Sequence, residues 1–115
     1  MMGQLDSLVT TYVAEAEEHG RATESGDHKH ANVAHDGLIR ALHALDMVNP
    51  GRSALVQLLE HANPYVRGWA ATHLLQSHRQ LAEAVLEELA SEPGLAGFDA
   101  SIVLQQWRKG TLSIP

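Results

Sequence analysis

The run from Leu55 to Leu75, LVQLLEHANPYVRGWAATHLL, constrains the fold more than any other part of the chain. Two apolar stripes at helical spacing, Leu55, Leu58, Leu59 and then Val66, Trp69, Ala70, His73, Leu74, stand on either side of Asn63-Pro64. Asn63 carries the short acceptor side chain that suits an N-cap. Pro64, with its fixed φ and missing N–H, suits the first helical position. The break therefore reads as the corner of a helical hairpin. Neither arm can bury its stripe alone, so the hairpin implies stacked neighbours and a small helical-repeat domain, an architecture used mostly for binding.

The rest of the chain follows the same pattern. Leu5, Leu8, Val9, Tyr12, Val13 and Ala16 form one stripe, which predicts a first helix ended by Gly20 and the polar run 22–27. Asp27 suits the N-cap of a second helix from about His28, with Ala31, Ala34, Leu38, Ala41, Leu42 and Leu45 facing inward. Gly37 lies mid-helix, at a cost of about 1 kcal/mol relative to Ala, and suits a close helix contact. Asn49-Pro50-Gly51 is a break, after which Arg52 to His61 and Pro64 to Gln76 read as the third and fourth helices. Ser77 with Gln80 has the form of a capping box for a fifth helix, whose stripe is Leu81, Val85, Leu86, Leu89. Pro93-Gly94 ends that helix, and a sixth is expected from Asp99 or Ala100, with Ala100, Val103, Leu104 and Trp107 on one face and Gly110 at its exit. The tail 111–115 is expected to be weakly ordered. Leu55, Val56, Leu59 recurs as Val85, Leu86, Leu89, and Val66, Ala70 as Ala100, Leu104, which is the trace of an internal repeat.

Length and charge bound the function. At 115 residues the chain fits one domain, 1–115, that buries roughly two-thirds of its unfolded surface. No run approaches the roughly 18 to 20 apolar residues that span a bilayer, and the start has no basic n-region, so a cytoplasmic protein is expected. There is no cysteine, hence no disulfide, thiol nucleophile or thiolate site. Eight Lys and Arg against fourteen Asp and Glu give a net charge of −6, which opposes phosphate backbones and anionic membranes and favours a basic partner. Only Arg108-Lys109 offers a basic cluster, so neither nucleic acid nor membrane is an expected partner.

At Asn63-Pro64-Tyr65-Val66-Arg67, followed by Ala70-Ala71 and Leu74-Leu75, the chain resembles a HEAT-type repeat. Over roughly residues 32–113 it is similar to the DUF2019 family of small bacterial proteins of unknown function. The likeness lies in an Asn on the second helix, the LLEHANPYVRGWAATHLL core, Ala82-Glu83-Ala84-Val85-Leu86-Glu87, Phe98-Asp99-Ala100 and the closing Trp107-Arg108-Lys109-Gly110. The resemblance implies an all-α, α-α superhelical fold of about six helices stacked as HEAT-like hairpins, and no activity. His73 departs from the pattern, which has a small or aliphatic residue there.

Histidine is the one enrichment that bears on chemistry: His28, His30 and His35 cluster with Asp27 and Asp36. Two histidines two residues apart do not share a helix face, so a metal site would need a loop ligand or His19. A solvated helix start, with Asp27 capping, is the favoured reading of this segment. His73 reads as a hydrogen-bonded, partly buried histidine rather than half of a His73–His78 pair. Arg67 reads as the HEAT-type arginine that bonds backbone or an acidic residue of a neighbouring repeat. Trp107 closes the core, and Tyr65 beside Pro64 is the better candidate for an exposed contact. There is no Gly-rich phosphate loop, His-Glu-x-x-His or Gly-x-Ser-x-Gly.

These features together point to a non-enzymatic, intracellular bacterial protein-interaction module without metal or cofactor. Asn32, His35, Asp36, Tyr65, Trp69 and His73 are its candidate partner-binding residues, on one face of stacked hairpins. Small size and acidic charge suit a narrower form, an immunity protein that neutralises a basic toxin. The alternatives are a metal-binding protein or metal-dependent enzyme using the His-rich segment 28–36, and a homodimer formed through apolar surface on the terminal helices.

Overall fold

A computed structural model describes residues 3–115. Among them the chain is all-helical, with no strand. α1 spans Gln4–Glu24, α2 His28–Asp46, a 3-10 helix Gly51–Glu60, α3 Pro64–Leu74, α4 Arg79–Ala90 and α5 Leu95–Lys109. Two compact units divide the chain: one ends at Leu55 and the other is Val56–Pro115. No helix among the described residues is long and apolar enough to cross a membrane.

In the first unit α2 folds back on α1. Its core holds Tyr12 and Ala16 of α1 with Ala34, Leu38, Ala41, Leu42 and Leu45 of α2, all buried. Burial pushes the Tyr12 hydroxyl well above its ordinary pKa, against a smaller opposing pull from the Arg52 guanidinium. Gly37 takes the close-contact role expected of it, since a Cβ there would meet the Glu15 carboxylate of α1. Gly20 does not end α1. It is buried within a helix that continues to Glu24, because tertiary burial outweighs the roughly 1 kcal/mol cost of an interior glycine. The true end comes where Gly26 adopts φ +73° and the Asp27 amide donates to the Ala22 carbonyl at 2.8 Å. Asp27 caps α2 as expected, accepting from the His30 amide at 3.0 Å. At the other end Arg52 donates to both carboxylate oxygens of Asp46, at 2.9 and 3.0 Å, and ties the start of the 3-10 helix to the end of α2.

The expected third helix is present with tighter winding: all ten residues of Gly51–Glu60 are 3-10 rather than α. Its apolar set, Ala54, Leu55, Leu58, Leu59, is buried. At three residues per turn, residues four apart stand about 120° apart, so these side chains are buried from more than one side of the helix, which the stripe alone does not announce.

In the second unit α3, α4 and α5 pack on one another. Asn63 accepts from the Tyr65 and Val66 amides at 2.8 and 3.4 Å, with Pro64 at the first helical position, as the residue types dictate. The Ser77 capping box does not form. The Ser77 hydroxyl lies 2.8 Å from the His78 ring nitrogen instead, and His78 precedes α4 without a side-chain cap. The buried face of α4 is Ala82, Leu86 and Leu89; Leu81 is 53 % exposed, so the expected stripe is rotated by one residue at its start. α5 begins at Leu95, four or five residues before the expected Asp99 or Ala100, because Gly94 at φ +100° turns the chain straight into the helix. Gly97 then passes close under the end of α4. A Cβ on it would lie 2.8 Å from the Leu89 carbonyl oxygen and overlap that of Glu92. Gly110, left-handed at φ +75°, closes the helix as expected, and the Thr111 amide donates to the Gln106 carbonyl at 2.9 Å.

Gly97 and Gly37 are both buried, yet they differ in what a methyl group would meet. Gly97→Ala is expected to destabilise the protein by about 2 kcal/mol or more in urea unfolding, since backbone must move. Gly37→Ala meets only the movable end of Glu15 and gains helix propensity, so its change is expected to stay within about 1 kcal/mol.

Candidate functional site

α3 is enclosed on most sides: Val66, Ala70, Ala71, Thr72, His73 and Leu74 are buried. Among its partly accessible residues, Tyr65, Gly68 and Trp69 are placed in a strip on one side by the spacings of three and four residues. Trp69 is half-buried, and its ring stacks on that of His73, with centroids 5.5 Å apart and planes 28° apart. His73 is only 1 % exposed. It is therefore not a surface contact residue in this conformation, contrary to its place among the sequence candidates. It fills the level below Trp69 and fixes the orientation of the indole. Nor is it the partly buried histidine expected, being fully enclosed, and the His78 ring nitrogen lies at the Ser77 hydroxyl.

The base of this strip is held by Arg67. Its Nη1 donates to the His61 carbonyl at 2.7 Å and the Ala62 carbonyl at 3.1 Å, while Nη2 lies 3.9 Å from Glu92. This matches the structural reading of Arg67: a guanidinium that bonds backbone and faces an acidic residue. The carbonyl bonds dominate, because they are short and charge-assisted, whereas the ion pair is at the outer limit of contact and Glu92 is 46 % exposed.

The remaining candidates belong to the first unit. Asn32 and Asp36 are exposed one turn apart on α2, and Val33 beside them is 64 % exposed. His35 is half-buried, and its ring lies 6.3 Å from that of His19 on α1. The structure thus brings Trp69 and His73 together, sets Asn32 and Asp36 on one face of α2, and turns His35 toward α1. The His-rich segment holds no ligand set. Among the described residues, no three His, Cys, Asp or Glu side chains gather where a metal ion could sit. His30 instead lies 2.5 Å from Asp27, at the helix start where the solvated reading placed it.

An exposed stripe on α5 has no counterpart among the sequence candidates. Leu95, Phe98 and Ile102 are 42 %, 54 % and 41 % exposed, at the spacing i, i+3, i+7 of a single helix side. Gly97, Ala100 and Leu104 on the opposite side are buried. The spacing is visible in the sequence, but it becomes a stripe only once the helix is known to start at Leu95.

No family model matches the sequence, and no curated protein matches it significantly. Among solved structures the chain is similar to the crystal structure of the protein RPA1889 from Rhodopseudomonas palustris CGA009. The TM-score is 0.87 and the identity 23 %, over 97 % of this chain and 94 % of that one. At that identity the likeness bears on the fold alone.

The Asp27–His30 pair generates a pH prediction. The His30 amide, then the His30 side chain, hold the Asp27 carboxyl below its ordinary 3.8, and the hydrogen bond and charge of Asp27 raise His30 above its ordinary 6.5. A raised histidine stabilises the fold below about 6.5 and loses that contribution as pH climbs through its folded value. A lowered carboxyl stabilises above about 3.8 and loses its contribution as pH falls through its folded value. The pair therefore supports the α2 start most fully between about pH 4 and 6.5. NMR titration is expected to show His30 above 6.5 in the wild type and lower, toward its ordinary value, in Asp27→Ala.

Proposed function

We propose that the protein is a non-enzymatic protein-interaction module of HEAT-like helical hairpins, whose partner contacts centre on Tyr65 and Trp69. The observation that supports this reading is the Trp69–His73 stack. A half-buried indole seated on a fully buried ring is already oriented before any partner arrives. An anchor of that kind loses little rotamer freedom on binding, and tryptophan and tyrosine are the side chains that most often dominate interface energetics. Arg67 holds the start of the same helix, so the strip rests on a fixed element rather than a loop. Asn32, His35 and Asp36 on α2 form a separate, more polar patch of the first unit and are its candidates for contact.

The net charge of −6 favours a basic partner and would speed its capture through long-range attraction. A toxin-neutralising immunity protein is the narrower form of this proposal. It is supported by size and charge together, and a toxin gene adjoining the coding gene would strengthen it.

Co-purification from the native host, with mass-spectrometric identification, tests the reading. A stoichiometric protein is expected with the wild type and is expected to be lost from the Tyr65→Ala, Asp36→Ala double variant, whose circular dichroism should be unchanged. With that partner in hand, Trp69→Ala is expected to weaken binding by about 2 kcal/mol or more. A partner retained equally by every variant, or no protein partner at all, would contradict the proposal.

A further inference from the structure

The apolar stripe of α5 carries an inference independent of the α3 strip. Leu95, Phe98 and Ile102 leave three large side chains facing water on one helix side, which is more than scattered exposure. The charges along that side are ordered. Asp99, one residue past Phe98, flanks its N-terminal half, and Lys109, seven residues beyond Ile102 and so on the same side, stands at its C-terminal end. Ile102 is the midpoint of Leu95–Lys109.

A surface with a carboxylate beside its N-terminal half, a lysine at its C-terminal end and apolar side chains along it is complementary to itself turned end for end. A two-fold axis at Ile102 sets each Ile102 against its copy. It also sets Lys109 opposite the second copy's Leu95, where the lysine stem covers the leucine. At 1.5 Å rise per residue, the second copy's Asp99 then lies about 6 Å along the axis from Lys109, within reach of a lysine head group. A parallel pairing would instead set like charges together.

We propose that a second copy of this chain occupies the face, in an antiparallel α5–α5 dimer centred on Ile102. A single helix pair of this length is small beside the roughly 800 Å² per partner of a standard interface, so the dimer is weak and concentration-dependent.

Sedimentation equilibrium and light scattering across about 5 µM to 1 mM test the proposal. The wild type is expected to pass from monomer to dimer with concentration. Phe98→Glu and, separately, Ile102→Lys are expected to stay monomeric with unchanged helical content, both being exposed side chains in the free chain. Lys109→Glu and Asp99→Lys are each expected to weaken association about three- to tenfold, and the double reversal to restore it. Restoration reads the ion pair itself, which a general loss of stability would not imitate. A wild type monomeric throughout, a dimer indifferent to both Phe98→Glu and Ile102→Lys, or charge reversals that do not compensate would overturn it. Retained binding of a Tyr65–Trp69 partner by the Phe98→Glu variant would separate this face from the α3 strip.

Discussion

The second unit depends on the corner that Asn63 and Arg67 make together. Asn63 satisfies the first free amides of α3, and Arg67, one turn into that helix, reaches back to the His61 and Ala62 carbonyls that follow the 3-10 helix. Donors at the start of α3 and carbonyls of the connecting segment are thus answered by two side chains four residues apart. A bond from a charged donor to a backbone carbonyl contributes about 1.5 to 3 kcal/mol, well above an exposed ion pair, so the guanidinium acts here mainly as a hydrogen-bonding fork. Its second branch faces Glu92, whose backbone carbonyl is the group that Gly97 passes beneath. The chain from Arg67 through Glu92 to Gly97 links the start of α3 to the start of α5.

This arrangement produces two unlike surfaces. Along α3 the C-terminal half is buried, and the partly accessible N-terminal half carries Tyr65 and Trp69, the latter with a solid footing in His73. Along α5 the small residues Gly97 and Ala100 allow close approach to the rest of the unit, which leaves the larger residues on the outside. The same packing step that brings Gly97 against backbone thereby exposes Phe98. One surface is built for rigidity and the other for area, and the two proposals made for them call on those properties separately.

Features whose physics is local were legible in the sequence. Asn63-Pro64, Asp27 and Gly110 act through their own backbone preferences and nearest amides, and each occupies the role its residue type dictates. Features decided by packing were not. Gly20 is a helix breaker in isolation, but burial keeps it helical. Ser77 had the right spacing to cap α4, yet the neighbouring His78 ring nitrogen takes its hydroxyl. Leu95 and Phe98 were hidden because Pro93-Gly94 followed by glycine-rich sequence reads as a loop, whereas the left-handed Gly94 compresses the turn and starts the helix early. His73 sat on an apolar stripe from the outset; treating it as a contact residue gave its polarity more weight than its register, and the register prevailed.

Hydrogen exchange on an Arg67→Lys variant tests the central claim most directly, because lysine keeps the charge and removes the fork. If the corner depends on the two carbonyl bonds, exchange at the Tyr65, Val66 and Arg67 amides should rise about tenfold or more, with a smaller rise over 92–98 and none within α2. Unchanged protection at Tyr65, Val66 and Arg67 in that variant would contradict the account.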